Sequence, residues 1–232
     1  KVFMDWYNRY FFKYYNIKLF LAWYKYDGKH ISISNALRKL DGVSVVYQRA
    51  LEDFPSPRTR VVADVLFSFS NDSWNTARNF DSKVAYRVVT GYIGDHRAAL
   101  FRQSSHTIRN ALQAKGAKKI VAFFDENASE DDRWHVGYKF FQDNYTFLLE
   151  KILKYPWLGL VIKPKGPLVL RHRLGPVAEL LELAERTGRC KVIGTGIVHG
   201  STPPVCAALS ADIAIHAHLC ASTAGFESAL AG

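Results

Sequence analysis

Strand-length runs dominated by Val, Ile, Leu and Phe recur through the second half of the chain, at Lys119–Phe124, Leu158–Ile162, Cys190–Ile193 and Asp212–Ile215. Their apolar residues are continuous rather than alternating, which suits strands covered on both faces. Helical patterns separate them, from about Tyr138 to Tyr155, Val177 to Thr187, Pro204 to Ser210 and from about Ala224. Strands that alternate with helices are joined by crossovers, so the spacing predicts a largely parallel sheet in an α/β domain.

The first half repeats the rhythm less cleanly. Strands are expected at Ile17–Tyr24, Val43–Gln48, Ala63–Ser70 and Tyr86–Tyr92, with helices at His30–Leu40 and Arg97–Ala114. Pro55 and Pro57 remove ladder donors and mark residues 52–58 as a loop. An opening helix, Phe3–Tyr15, sets aromatic residues at i, i+3, i+4 and i+7, opposite Asp5, Asn8, Arg9 and Lys13. Its aromatic stripe reads first as core-facing, and the basic flank leaves an interfacial role and peripheral contact with an anionic membrane open. The break in rhythm divides the chain into an N-terminal α/β domain, 1–116, and a C-terminal Rossmann-like domain, 117–232. The chain opens and closes in mid-pattern, so both domains are expected to be partial.

With 232 residues, 48% of them apolar and 22% charged, the chain can bury substantial cores and is not a disordered segment. It has no apolar run of membrane-spanning length and no secretory leader pattern, which predicts a soluble, cytoplasmic protein. Three cysteines without a C-x-x-C spacing are expected to be buried thiols in a reducing compartment. The net charge of +10 is lopsided: up to Lys119 there are 20 Lys/Arg against 9 Asp/Glu, and afterwards 11 against 12. A basic surface attracts phosphorylated substrates, anionic membranes and nucleic acids alike. No RNP-like or helix-turn-helix motif accompanies it, so nucleic acid is not an expected partner.

Ligands of open parallel sheets gather at the carboxyl ends of the strands. Asp125 and Glu126 follow the Lys119–Phe124 strand, and a carboxylate there suits a general base acting on an acceptor hydroxyl. Lys163-Pro164-Lys165 follows the next strand, a stiff turn with two cations able to hold a diphosphate. Ser222 and Thr223 stand at the start of the last helix, where backbone N–H groups favour an anion, and Glu227 in its first turn is placed to meet a sugar or ribose hydroxyl. Each also has a structural reading, as turn caps, solvated charges and a capping box. His96 ends a strand beside Gly91 and Gly94, as a candidate to act on an acceptor or phosphate. His216-x-His218 lacks a third ligand at suitable spacing, and no metal site is expected. The dinucleotide, P-loop, serine-hydrolase and zincin signatures are all missing.

The segment Ala211-Asp212-Ile213-Ala214-Ile215, continued by Ser222-Thr223-Ala224-Gly225-Phe226-Glu227 and Ala229-Leu230-Ala231-Gly232, resembles the donor-binding motif of GT-B glycosyltransferases and UDP-N-acetylglucosamine 2-epimerases. A wider likeness, through Ile120–Asn127, Gly159–Lys165 and the same C-terminal motif, is to bacterial surface-polysaccharide (capsule or O-antigen) biosynthesis proteins. The chain is also similar to bacterial sialyl- and Kdo-transferases, with Lys163-Pro164 where their pattern has His-Pro.

The resemblance implies a GT-B-like fold, two Rossmann-type parallel-sheet domains facing a cleft and truncated at both ends. It implies a glycosyltransferase that takes a nucleotide-sugar donor and a glycan or lipid-linked acceptor without a cofactor or essential metal. Asp125 or Glu126 would be the catalytic base, with His96 as a further catalytic candidate; Lys163, Lys165, Ser222, Thr223 and Glu227 would bind the donor. A sugar-nucleotide epimerase or hydrolase, and a non-catalytic nucleotide-sugar-binding module, are the alternatives.

Overall fold

Among the described residues of the computed structural model every strand runs parallel to its neighbours, in two separate four-stranded sheets. The structure describes residues 2–23, 28–50, 60–78, 81–131, 136–194, 202–217 and 223–232. The expected 52–58 loop lies outside them, as do His218, Ser222 and Cys220, one of the three cysteines. The chain forms two compact units, 1–93 and 94–232. The pair of sheets is consistent with two Rossmann-like domains.

The first unit contains α1 (Val2–Tyr14), β1 (Leu19–Ala22), α2 (Lys29–Arg38), β2 (Val43–Tyr47), β3 (Val62–Ser68), α3 (Asn71–Arg78) and β4 (Lys83–Val89). Its strands lie in chain order, β1-β2-β3-β4. Right-handed crossovers between strands laid down in sequence put their helices on one face. Phe20 of β1 accordingly packs with Phe12, Ala36 and Leu37 of the helices, and Ser34 of α2 meets Ser44 of β2 at 2.9 Å. On the opposite face Leu19, Leu21, Val43, Tyr86 and Val88 are exposed. The polar helix α3 was not expected from the sequence. Its start is marked by the Ser70 hydroxyl, which accepts the Ser73 N–H at 3.3 Å in the manner of an N-cap. β4 begins at Lys83 and ends at Val89, three residues before its expected start and end.

α1 reverses its expected orientation. Its polar side faces α2: the Asn8 amide donates to the Ser32 hydroxyl at 3.1 Å, and Ser32 donates to Asp5. Phe12 is buried beside them, and the aromatic stripe faces away from the core. The hydrogen-bonded chain Asn8–Ser32–Asp5 and the buried Phe12 ring form the contact of α1 with α2 and its neighbours.

The second unit runs α4 (Arg97–Gln113), β5 (Lys119–Phe124), α5 (Tyr138–Lys154), β6 (Leu158–Lys163), a 3-10 turn (Pro167–Val169), α6 (Leu170–Leu174), α7 (Val177–Arg186), β7 (Cys190–Val192), α8 (Pro204–Leu209), β8 (Ile213–His216) and α9 (Thr223–Ala231). The 3-10 turn and α6 were unexpected; Pro167 opens the turn, where its missing N–H costs nothing. The strand order β7-β6-β5-β8 is the 3-2-1-4 half of a doubly wound sheet. Val121 and Phe123 pack toward α5 and α7, whereas Ile120, Ala122 and Phe124 pack toward α4 and α8. Continuous apolar strands are thus buried on both sides, as their composition requires.

α4 falls in the second unit, whereas the sequence reading placed it with the first. Its Ile108 and Leu112 pack on Ile120, Ala122 and Phe124, and Ser105 donates to the Cys206 carbonyl at 3.0 Å. The division therefore comes at Ile93/Gly94 instead of 116/117.

Candidate active site

β5 sits between β6 and β8, and the connections leaving β5 and β8 go to opposite faces. α5 packs with Val121 and Phe123, while Ala224 of α9 packs with the α4–α8 cluster. This is a topological switch point, and the carboxyl ends of β5 and β8 flank the crevice where doubly wound sheets take their ligands.

Asp125 follows β5 on the α5 side. Its Oδ2 accepts the Tyr145 hydroxyl at 2.8 Å and its Oδ1 the Lys165 backbone N–H at 2.5 Å. Burial pushes its carboxyl up to about 6 despite those two donors and the nearby Lys163 charge, and Glu126 adds to the rise. Tyr145, itself buried, is pushed well above its ordinary value by burial and the Asp125 charge. Glu126 accepts the Asn127 N–H at 2.8 Å and forms an ion pair with the Lys165 ammonium. The two loops singled out in the sequence are thus tied together, with Lys165 bonded through both backbone and side chain.

Lys163, the last residue of β6, lies in register with Phe124. Alternation along β6 turns it to the α8 side with Val161, where it is buried and its Nζ donates to the Pro164 carbonyl at 2.9 Å. Burial lowers its pKa, and the charges of Asp125 and Glu227 oppose that shift. Gly194, just past β7 with φ +102°, leaves room beside it: a Cβ there would stand 3.6 Å from the Lys163 Nζ. A buried ammonium with one carbonyl acceptor and two carboxylates in its field can neutralise an anionic oxygen brought to the strand ends.

Glu227 reaches from α9 across to α8. One oxygen accepts the Val205 N–H in the first turn of α8 at 2.9 Å, and the other lies 3.9 Å from the Arg97 guanidinium. The carboxylate is buried, with 3% of its surface exposed. Thr223 opens α9; its expected partner Ser222 lies outside the described residues. His96 is the N-cap residue of α4, with an exposed side chain that makes no capping hydrogen bond.

His216 ends β8 and stacks on Phe124, with ring centroids 4.8 Å apart and planes 9° from parallel. Burial lowers its pKa and keeps the imidazole neutral at pH 7. Among the described residues no group of three or more His, Cys, Asp or Glu could hold a metal ion.

Asp212, part of the motif that carries the resemblance, lies at the opposite edge of the sheet. It accepts the Ile120 N–H at 2.8 Å and the Arg109 guanidinium at 2.7 Å, which fastens the start of β8 to β5 and α4. These donors hold its carboxyl below the ordinary range against the opposing effect of burial.

The structure therefore brings Asp125, Glu126 and Lys165 into direct contact and couples Lys163 to Asp125 and Glu227. Sequence reasoning missed Tyr145 and Arg97. A Tyr on the apolar face of α5, beside Phe141, Leu148 and Leu149, needs a partner for its hydroxyl. A cation in the first turn of α4 opposes the helix dipole and calls for a carboxylate.

Fold and edge together define a doubly wound parallel α/β unit with charged groups gathered at its switch point. The sequence matches no family model and no curated protein. No helix among the described residues is long and apolar enough to cross a membrane.

Proposed function

We propose that the chain is the core of a GT-B-type glycosyltransferase, which moves a sugar from a nucleotide-sugar donor to a surface-polysaccharide or lipid-linked acceptor. In this reading the two units are Rossmann-type domains. The observation that carries it is the buried Lys163 ammonium at the carboxyl end of β6, next to β5 and in the field of Asp125 and Glu227. Such a cation meets the charge that develops on a departing nucleotide phosphate.

Asp125, at about 6, is basic enough to take a proton near neutral pH and becomes the preferred base over Glu126, which is held by Lys165. The acceptor oxygen gives its proton to Asp125 and bonds to the anomeric carbon. The bond from that carbon to the donor phosphate breaks, and the nucleotide leaves with the electron pair beside Lys163. Glu227, already engaged with α8, serves this site by fixing α8 and α9 and shaping the charge around Lys163.

Titration with UDP, CMP and their sugars, followed by thermal shift and calorimetry, tests the reading. At least one nucleotide should raise the melting temperature by mass action. Lys163→Met should weaken its binding about tenfold or more, the value of a charge-assisted hydrogen bond to phosphate. Failure of every nucleotide to bind, or unchanged affinity in Lys163→Met, rejects the assignment.

A further inference from the structure

α1 presents its apolar side to solvent. Phe3, Trp6, Tyr10 and Tyr14 are 68%, 55%, 61% and 70% exposed, while Asn8 and Phe12 on the other side are buried. The exposed rings form an ordered ladder: Trp6 and Tyr10 stack at 5.9 Å and 16°, and Tyr10 and Tyr14 at 6.2 Å and 19°. Tyr7 and Phe11 stack in a second row at 6.2 Å. A contiguous exposed apolar surface of this kind marks an interaction site.

Its composition selects the partner. From Phe3 to Tyr15 there is no Leu, Ile or Val. Trp and Tyr, with an apolar ring and a polar tip, suit the zone between lipid headgroups and acyl chains, and the charge beside them distinguishes that partner from a neutral protein face. The charge agrees. Residues 1–50 carry nine Lys/Arg against three Asp/Glu, and exposed Lys13, two helical turns from Trp6, stands at the border between the ring face and the polar side. An aromatic face bordered by Lys13, on a segment with a net excess of cations, is complementary to an anionic bilayer surface.

We propose that α1 is an interfacial anchor that lays its Trp6–Tyr10–Tyr14 face on an anionic phospholipid membrane. The inference stands apart from the glycosyl-transfer reading and does not depend on it.

Vesicle co-sedimentation of the whole chain tests it, with phosphatidylcholine alone and with added phosphatidylglycerol. Binding should require phosphatidylglycerol and weaken with salt. The triple variant Trp6→Ser, Tyr10→Ser, Tyr14→Ser changes only exposed side chains. It should keep the circular dichroism of the parent and lose partitioning by about tenfold or more. Lys13→Glu, which leaves the rings intact, should reduce binding about fivefold or more. Three results overturn the proposal: no binding to anionic vesicles, equal binding by both variants and parent, or a stable dimer in sedimentation velocity that the triple variant dissolves. The last would assign the face to a second copy of the chain.

Discussion

β5 and β4 are both parallel strands of Val, Phe or Tyr-rich sequence, yet they live in different surroundings. Ile120 through Phe124 are all buried, between α5 and α7 on one side and α4 and α8 on the other. Ala85 through Val89 are all exposed, at the edge of a sheet whose crossover helices cover one face. Strand order leaves one face of the first sheet open, and the place of β4 at the sheet edge exposes its other face as well. Reversal of direction at β5, with β6 and β7 laid to one side and β8 to the other, puts helices on both faces. The unreversed order β1-β2-β3-β4 leaves Leu19, Leu21 and Tyr86 open. The same reversal creates the crevice with its charged loops, so core and candidate site of the second unit have one topological origin.

The sharpest way to break this comparison is to empty the two-sided core. Phe123→Ala should destabilise the second unit by about 3–5 kcal/mol in chemical denaturation, the cost of a buried aromatic lost with its cavity. A loss below about 1 kcal/mol would mean that β5 is not held as described.

Two carboxylates of that unit should respond to pH in opposite senses. Asp125 is raised from 3.8 to about 6, so the folded state takes up its proton before the unfolded chain does. Stability should increase by roughly 2–3 kcal/mol as pH falls from about 7 to about 4, and Asp125→Asn should remove that slope. Asp212 is depressed instead, so its contribution is present above the unfolded value and disappears as pH falls through the folded one. Asp212→Asn should cost about 1–2 kcal/mol at pH 7 through its bonds to Ile120 and Arg109. Urea midpoints measured across this range separate the two, and equal slopes in parent and variants would contradict both assignments.

The smallest effect belongs to the open face. Tyr86→Ser should alter stability by no more than about 0.5 kcal/mol, measured by the same denaturation. A much larger loss would show that this face is covered.

Much of this architecture was legible because one-dimensional pattern and burial coincide. Lys119–Phe124 has the expected bounds, and Tyr138–Lys154, Val177–Arg186 and Pro204–Leu209 each differ from expectation by one residue at the C-terminal end. Helix α3 escaped because Asn71–Arg78 is polar almost throughout, and its start depends on a single serine cap. The Asp125-Glu126 and Lys163-Lys165 turns were readable as strand-end charges. The Tyr145 hydroxyl and the Arg97–Glu227 ion pair were not, since they join residues 20 and 130 positions apart in the chain.

The sequence by itself determined that the chain alternates strand and helix, that its sheets are parallel, and that carboxylates and lysines stand at strand ends. Those properties depend on local apolar runs and on backbone groups that must be hydrogen-bonded nearby. Only the tertiary structure decided which strands are neighbours, that Glu227 braces α8, that α4 joins the second unit, and that α1 turns its rings outward. A helix pattern states that one side differs from the other; which side is buried depends on what its neighbour offers. Here α2 offers Ser32, a hydrogen-bonding hydroxyl, to Asn8 and Asp5.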